Sequence, residues 1–267
     1  MNRKVIRKST LISSIAMLLV AVVALSGVTF AWFSSNPTAN TKKVTMTSTG
    51  VKGVNIVDAE ISAIERPNQW LNNLNWETTI DMAPASCAFQ DMAAHVAPFY
   101  TTTTNSSTGE WDKSAGISNA VFTDGSETDN VNVFAKRVWV KADFGEETPA
   151  QDLVVNISLA STRNYTRLAI VNKTAKTFTV FTATKRETEK PILCFSDDQG
   201  NGVDISANTK VAGEEILVPN YNSGDIIELE VYFYFEGQDP DCVNKNSSAE
   251  ASVEMTFELK AHPTQQG

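Results

Sequence analysis

The residues able to do chemistry are few. Two histidines, His95 and His262, and three cysteines, Cys87, Cys194 and Cys242, are the entire supply of imidazole and thiol in 267 residues. A zinc hydrolase needs two or three histidines converging on one ion with a carboxylate as general base. His95 lacks any HExxH context and His262 lies in a polar tail. Nucleophilic hydrolysis fares no better: there is no GxSxG elbow, and a Cys87 to His95 spacing of eight does not deliver a base to a thiolate. The sequence therefore predicts no catalytic set, no metal ligands and no cofactor, and a protein that is not an enzyme.

Three further groups invite a functional reading. The stretch Asp197-Asp198-Gln199-Gly200-Asn201-Gly202-Val203-Asp204 puts oxygens at alternate positions and glycine in sixth place, as a calcium loop does, but Asn208 stands where a bidentate glutamate should close the site. It reads as the turn of a hairpin. Cys194 and Cys242 each flank a predicted strand and are disulfide candidates, and unpaired thiols within β structure fit the same residues. The aromatics Trp139, Phe144, Phe178, Phe181, Tyr232 and Tyr234 have the types of a sugar-stacking platform, and read more simply as core and cross-strand pairs.

These residues must be positioned by β structure, because apolar residues recur at every second position. In Ile226 to Phe235, Ile227, Leu229, Val231, Phe233 and Phe235 share one face. Glu228, Glu230, Tyr232 and Tyr234 share the other, which is expected to be wet. Val253, Met255, Phe257 and Leu259 alternate with Glu254, Thr256, Glu258 and Lys260 in the same way. Further strands are predicted over 51–64, 131–144, 153–160, 167–172, 177–183, 192–195 and 216–218. Short strands at this spacing, with no long helical pattern between them, predict an all-β protein built as an antiparallel β-sandwich. One short helix is predicted over Cys87 to Val96, where Phe89, Met92 and Val96 keep helical spacing and Pro98 follows. The region around 66–125 is otherwise irregular and is expected to form a long loop insertion over the sandwich.

Acidic residues outnumber lysine and arginine by 31 to 22, a formal net charge of −9. Arg3, Lys4, Arg7 and Lys8 crowd into the first eight residues, so the body is more acidic still. Such a body repels phosphates, which excludes nucleic acid as a partner. The basic start is followed by an apolar run densest over 15–25 and then by Thr29-Phe30-Ala31. Small residues at Thr29 and Ala31 suit signal-peptidase cleavage before Trp32. The charge-free span also exceeds the roughly 20 residues that cross a bilayer, so an uncleaved anchor stays open. Three regions are expected: a helical signal peptide over 1–31, an extended segment over 32–50, and the sandwich over 51–267. The membrane is met only through the N-terminal segment during export.

At Gly27-Val28-Thr29-Phe30-Ala31-Trp32-Phe33-Ser34 the leader resembles that of bacterial proteins processed by a dedicated signal peptidase, the TasA/camelysin type of biofilm-matrix and surface proteins. The resemblance implies a jelly-roll-like sandwich. It also implies assembly by strand donation, in which the mature N-terminus of one subunit fills a groove in its neighbour. The donor is then Trp32 to about Thr47, with Trp32 and Phe33 as anchors and Val44 and Met46 alternating behind them. Physically this is β-augmentation, a row of main-chain hydrogen bonds with pockets for alternate side chains. The expectation is a secreted or cell-surface bacterial structural subunit that self-associates through a sheet edge and forms fibres by donor-strand exchange. The alternative is an adhesin binding glycan or protein through loops such as 101–125. A secreted metalloprotease, an activity the resemblance also brings, ranks last for want of a zinc motif.

Overall fold

In a computed structural model, the residues described are 39–47 (backbone only), 53–76, 80–103, 111–126, 131–145, 148–183, 193–195, 197–242 and 250–263. The chain divides into Met1–Asn36 and Pro37–Gly267, and every described residue belongs to the second unit. The predicted signal helix and its cleavage site, Thr29, Ala31 and Trp32, lie outside the described residues, as does Phe33.

The strands, in chain order, are β1 (Ala39–Thr47), β2 (Val54–Glu60), β3 (Asn73–Trp76), β4 (Ile80–Met82), β5 (Tyr100–Thr102), β6 (Ile117–Asn119), β7 (Phe122–Thr123), β8 (Val133–Ala142) and β9 (Gln151–Ser161). They continue with β10 (Thr166–Asn172), β11 (Thr177–Thr182), β12 (Leu193–Phe195), β13 (Gly202–Asp204), β14 (Thr209–Val211), β15 (Glu214–Tyr221), β16 (Ile226–Phe235) and β17 (Glu250–Ala261). One sheet has the order β15-β9-β17-β1-β3, with β4 also on β1. The other runs β14-β11-β10-β16-β8-β2, with β7 also on β8. Most neighbours are antiparallel. The exceptions are β1 with β17, β11 with β14 and β7 with β8.

This is the predicted all-β sandwich, and alternation explains its inner layer. Leu153, Val155, Ile157 and Leu159 of β9 and Val253, Met255 and Phe257 of β17 share one core with Leu168 and Ile170 of β10 and Leu229, Val231 and Phe233 of β16. Each of these large side chains contributes about 1.5–3 kcal/mol on burial.

The outer face of the second sheet departs from expectation. Glu230, Tyr232 and Tyr234 of β16 are 0 % exposed, and all of β10 is buried. The predicted wet face is covered by the insertion between β2 and β8. Phe99 packs its ring 5.0 Å from Tyr232 and 4.9 Å from Tyr234, while Phe89 stacks on Phe178 at 5.3 Å. Main-chain bonds hold this cover down: Ala85 N donates to Phe235 O at 2.9 Å and Gly237 N to Ala85 O at 3.1 Å. Gly237 is required there, because a Cβ would meet the Trp111 ring at 1.9 Å.

The helix predicted over Cys87 to Val96 does not form. Phe89 has φ 53, in the left-handed region an α-helix excludes. Cys87, Ala88 and Phe89 are buried in succession rather than on a stripe. Their segment bonds across the chain instead, Ala88 N to Phe195 O at 3.0 Å. What helical spacing delivers is one turn, in which Asp91 Oδ1 accepts from Ala93 N and Ala94 N.

Candidate assembly site

The extended segment of the sequence reading ends in β1, which is a strand of the chain's own sandwich. Thr45, Val44 and similar β-branched residues suit the extended backbone. On one side β1 runs parallel to β17, pairing Val44 with Val253, Met46 with Met255 and Thr47 with Thr256, with an irregularity between Thr41 and Lys43. On the other it runs antiparallel to β3, with Val44 opposite Trp76 and Met46 opposite Leu74, and to β4, with Thr41 opposite Ile80. Both edges of β1 are therefore hydrogen-bonded within one chain.

Two sheet borders among the described residues are guarded. β15, at one border of the first sheet, carries Pro219, Asn220 at φ 49, and register irregularities against β9 after Ile216 and after Val218, devices that blunt strand pairing. On the opposite flank Ile56 and Leu71 exchange main-chain bonds of 2.7 and 2.8 Å, which ties β2 to the segment leading into β3.

Two buried polar clusters lie beneath the insertion. In the first, fully buried Glu230 accepts from Tyr232 Oη at 2.8 Å and from Arg137 Nη2 at 2.9 Å. Arg137 also pairs with Glu228 and donates to Ile61 O and His95 O. Lys173 Nζ reaches Met92 O and Ala94 O at 3.0 and 2.5 Å and lies 3.6 Å from Glu230. Burial raises the Glu230 pKa, opposed by the Tyr232 hydrogen bond and the two cations. The cluster anchors the insertion to β8, β16 and the turn after β10.

In the second cluster, burial pushes the Glu236 carboxyl up to about 7. Its Oε2 accepts from Cys194 Sγ at 3.1 Å and its Oε1 from Gln238 N at 3.0 Å, and the Ser86 hydroxyl also bonds to it. Nearby, buried Arg167 and Asp239 pair at 2.7 Å. The bridge weighed between Cys194 and Cys242 is not formed: Cys194 is turned toward Glu236, and Cys87, Cys194 and Cys242 are all buried free thiols. Burial raises the pKa of each, so all three are protonated at neutral pH and poor nucleophiles.

The remaining candidates take structural places. β12 and β13 pair as a hairpin, and Asp197 Oδ1 accepts from Gln199 N and Asn201 N of its own turn. His95 Nε2 lies 3.1 Å from Ser62 O, and His262 Nδ1 lies 2.7 Å from Asp152 Oδ1. The aromatics do not form one platform: Phe181 belongs to the inner core and Tyr232 and Tyr234 to the covered face. Arg137, Lys173, Arg167 and Glu236 were not singled out from sequence. The available signal was the mixture of glutamate and tyrosine on one face of β16, opposite an insertion long enough to cover it.

The chain matches no protein-family model, no curated protein and no solved structure.

Proposed function

We propose that the chain is an exported structural subunit of the bacterial cell surface or extracellular matrix, assembling into fibres by exchange of β1. One observation carries this reading. β1 is paired along both edges, parallel to β17 on one side, and its covalent connection to the next strand, β2, is short. A strand so placed leaves and re-enters at the cost of the same main-chain bonds it regains in a neighbour. The blunted edge of β15 favours this route over side-by-side pairing of sheets.

Protein beginning at Trp32 is expected to form filaments visible by electron microscopy. Thr45→Pro, which removes a main-chain donor from β1, is expected to abolish them, and a chain beginning at Gly50 is expected to bind a synthetic peptide of residues 36–48 instead of polymerising. Equal polymerisation by all three chains would defeat strand exchange.

A further inference from the structure

The outer face of the second sheet carries a knob and a hollow on one row of paired residues. Phe178 of β11 stands opposite Val171 of β10, Val171 opposite Glu230 of β16, and Glu230 opposite Arg137 of β8. Three strand spacings, about 14 Å, therefore separate Phe178 from Arg137 at one level of the sheet. Over Arg137 the loop that follows β2 turns onto this face and is held there. Arg137 Nε and Nη2 donate to Ile61 O at 3.2 and 3.1 Å, His95 Nε2 lies 3.1 Å from Ser62 O, and Ala63 N donates to Glu60 O at 3.0 Å. Beyond these bonds stands Ile64, 86 % exposed, the most exposed large apolar side chain among the described residues. At the Phe178 end of the row is a cavity of about 380 Å³, walled by Phe89, Met92, Phe178 and Ile205, with the exposed side chains of Lys176 and Asp204 beside it.

We infer that this face binds a second copy of this chain, the Ile64 of each copy entering the cavity of the other. A two-fold axis that runs along the strands and crosses the row midway brings knob to hollow twice, the isologous arrangement of most dimers. The charges agree with it. Glu65 and Arg66 follow Ile64 on the loop, Lys176 and Asp204 border the cavity, and each copy thus offers an acid to a base and a base to an acid. Because buried Arg137 already fixes the loop, little ordering entropy opposes docking. The sheet is six strands wide, about 24 Å, and its ten-residue strands are about 33 Å long, so the face offers up to about 800 Å² per copy, the share each partner gives to a stable interface. Such a contact closes after two copies, so it pairs molecules without lengthening a fibre, and it goes beyond β1 exchange without depending on it.

The test uses the chain beginning at Trp32, with a photo-crosslinking phenylalanine analogue in place of Gln90, an exposed residue lining the cavity, and a mixture of isotopically light and heavy protein. Mass spectrometry is expected to find crosslinks from position 90 to residues 62–66 of another molecule. Ile64→Asp, made where solvent already surrounds the side chain, is expected to cut their yield about tenfold or more with an unchanged melting temperature. Lys176→Glu is expected to lower the yield about threefold, and Glu65→Lys in the same chain to restore it. Crosslinks that stay within one molecule or map elsewhere, or a yield that Ile64→Asp leaves unchanged, would overturn the paired face, and filaments formed by the same protein would leave β1 exchange standing. Heavy-to-light crosslinks at 62–66 in protein that forms no filaments would establish the paired face and defeat β1 exchange.

Discussion

β16 and β17 carry the same alternation of apolar and polar residues, yet only β17 keeps a wet face. Glu254 of β17 is exposed and Thr256 and Glu258 are half-buried, whereas Glu230, Tyr232 and Tyr234 of β16 have lost all contact with solvent. Periodicity declares which face of a strand is apolar. It does not declare whether the polar face will later be roofed. Where the roof arrives, each polar group needs a partner, because an unpaired buried charge costs several kcal/mol. Arg137 and Lys173 supply those partners to Glu230.

The largest expected effect is at that charge cluster. Arg137→Ala leaves Glu230 buried without its closest cation and frees the carbonyls of Ile61 and His95, and it should lower unfolding free energy by about 3–5 kcal/mol in urea titrations. Glu254→Ala, at the matching wet position of β17, should change it by less than about 0.5 kcal/mol. Similar values for the two substitutions would break the contrast.

Glu236 gives a smaller, pH-dependent effect. Its folded pKa of about 7 stands above the ordinary 4.5, so the folded state holds this proton more tightly than the unfolded chain. The resulting stabilisation is complete below about pH 4.5, declines as pH rises and is gone once pH passes 7, a change of about 3 kcal/mol. Glu236→Gln should remove that slope between pH 5 and 7.5 in melting curves, and an unchanged slope would assign it to other groups. The smallest effect belongs to Tyr234, whose buried hydroxyl makes no hydrogen bond among the described residues. Tyr234→Phe should be neutral or stabilise by up to about 1 kcal/mol, since it removes a desolvated group with no partner.

Much of the sandwich was legible because its strands are periodic and bounded by turn residues. β16 was predicted at its observed limits, and the hairpin from Leu193 to Asp204 was read correctly from glycine placement and the missing glutamate. The segment Cys87 to Val96 misled because Phe89, Met92 and Val96 are buried or half-buried by contacts from distant strands rather than along a helical stripe. For the candidate site, extended backbone over β1 was legible in its threonines, but the pairing with β17 was not. Register between segments so far apart is fixed by the assembled core and leaves no local trace.

That parallel ladder sets an order of events. Asn40 cannot find Glu250 until every strand between them has been made, so β1, first of the described strands in chain order, is among the last of them to be zipped.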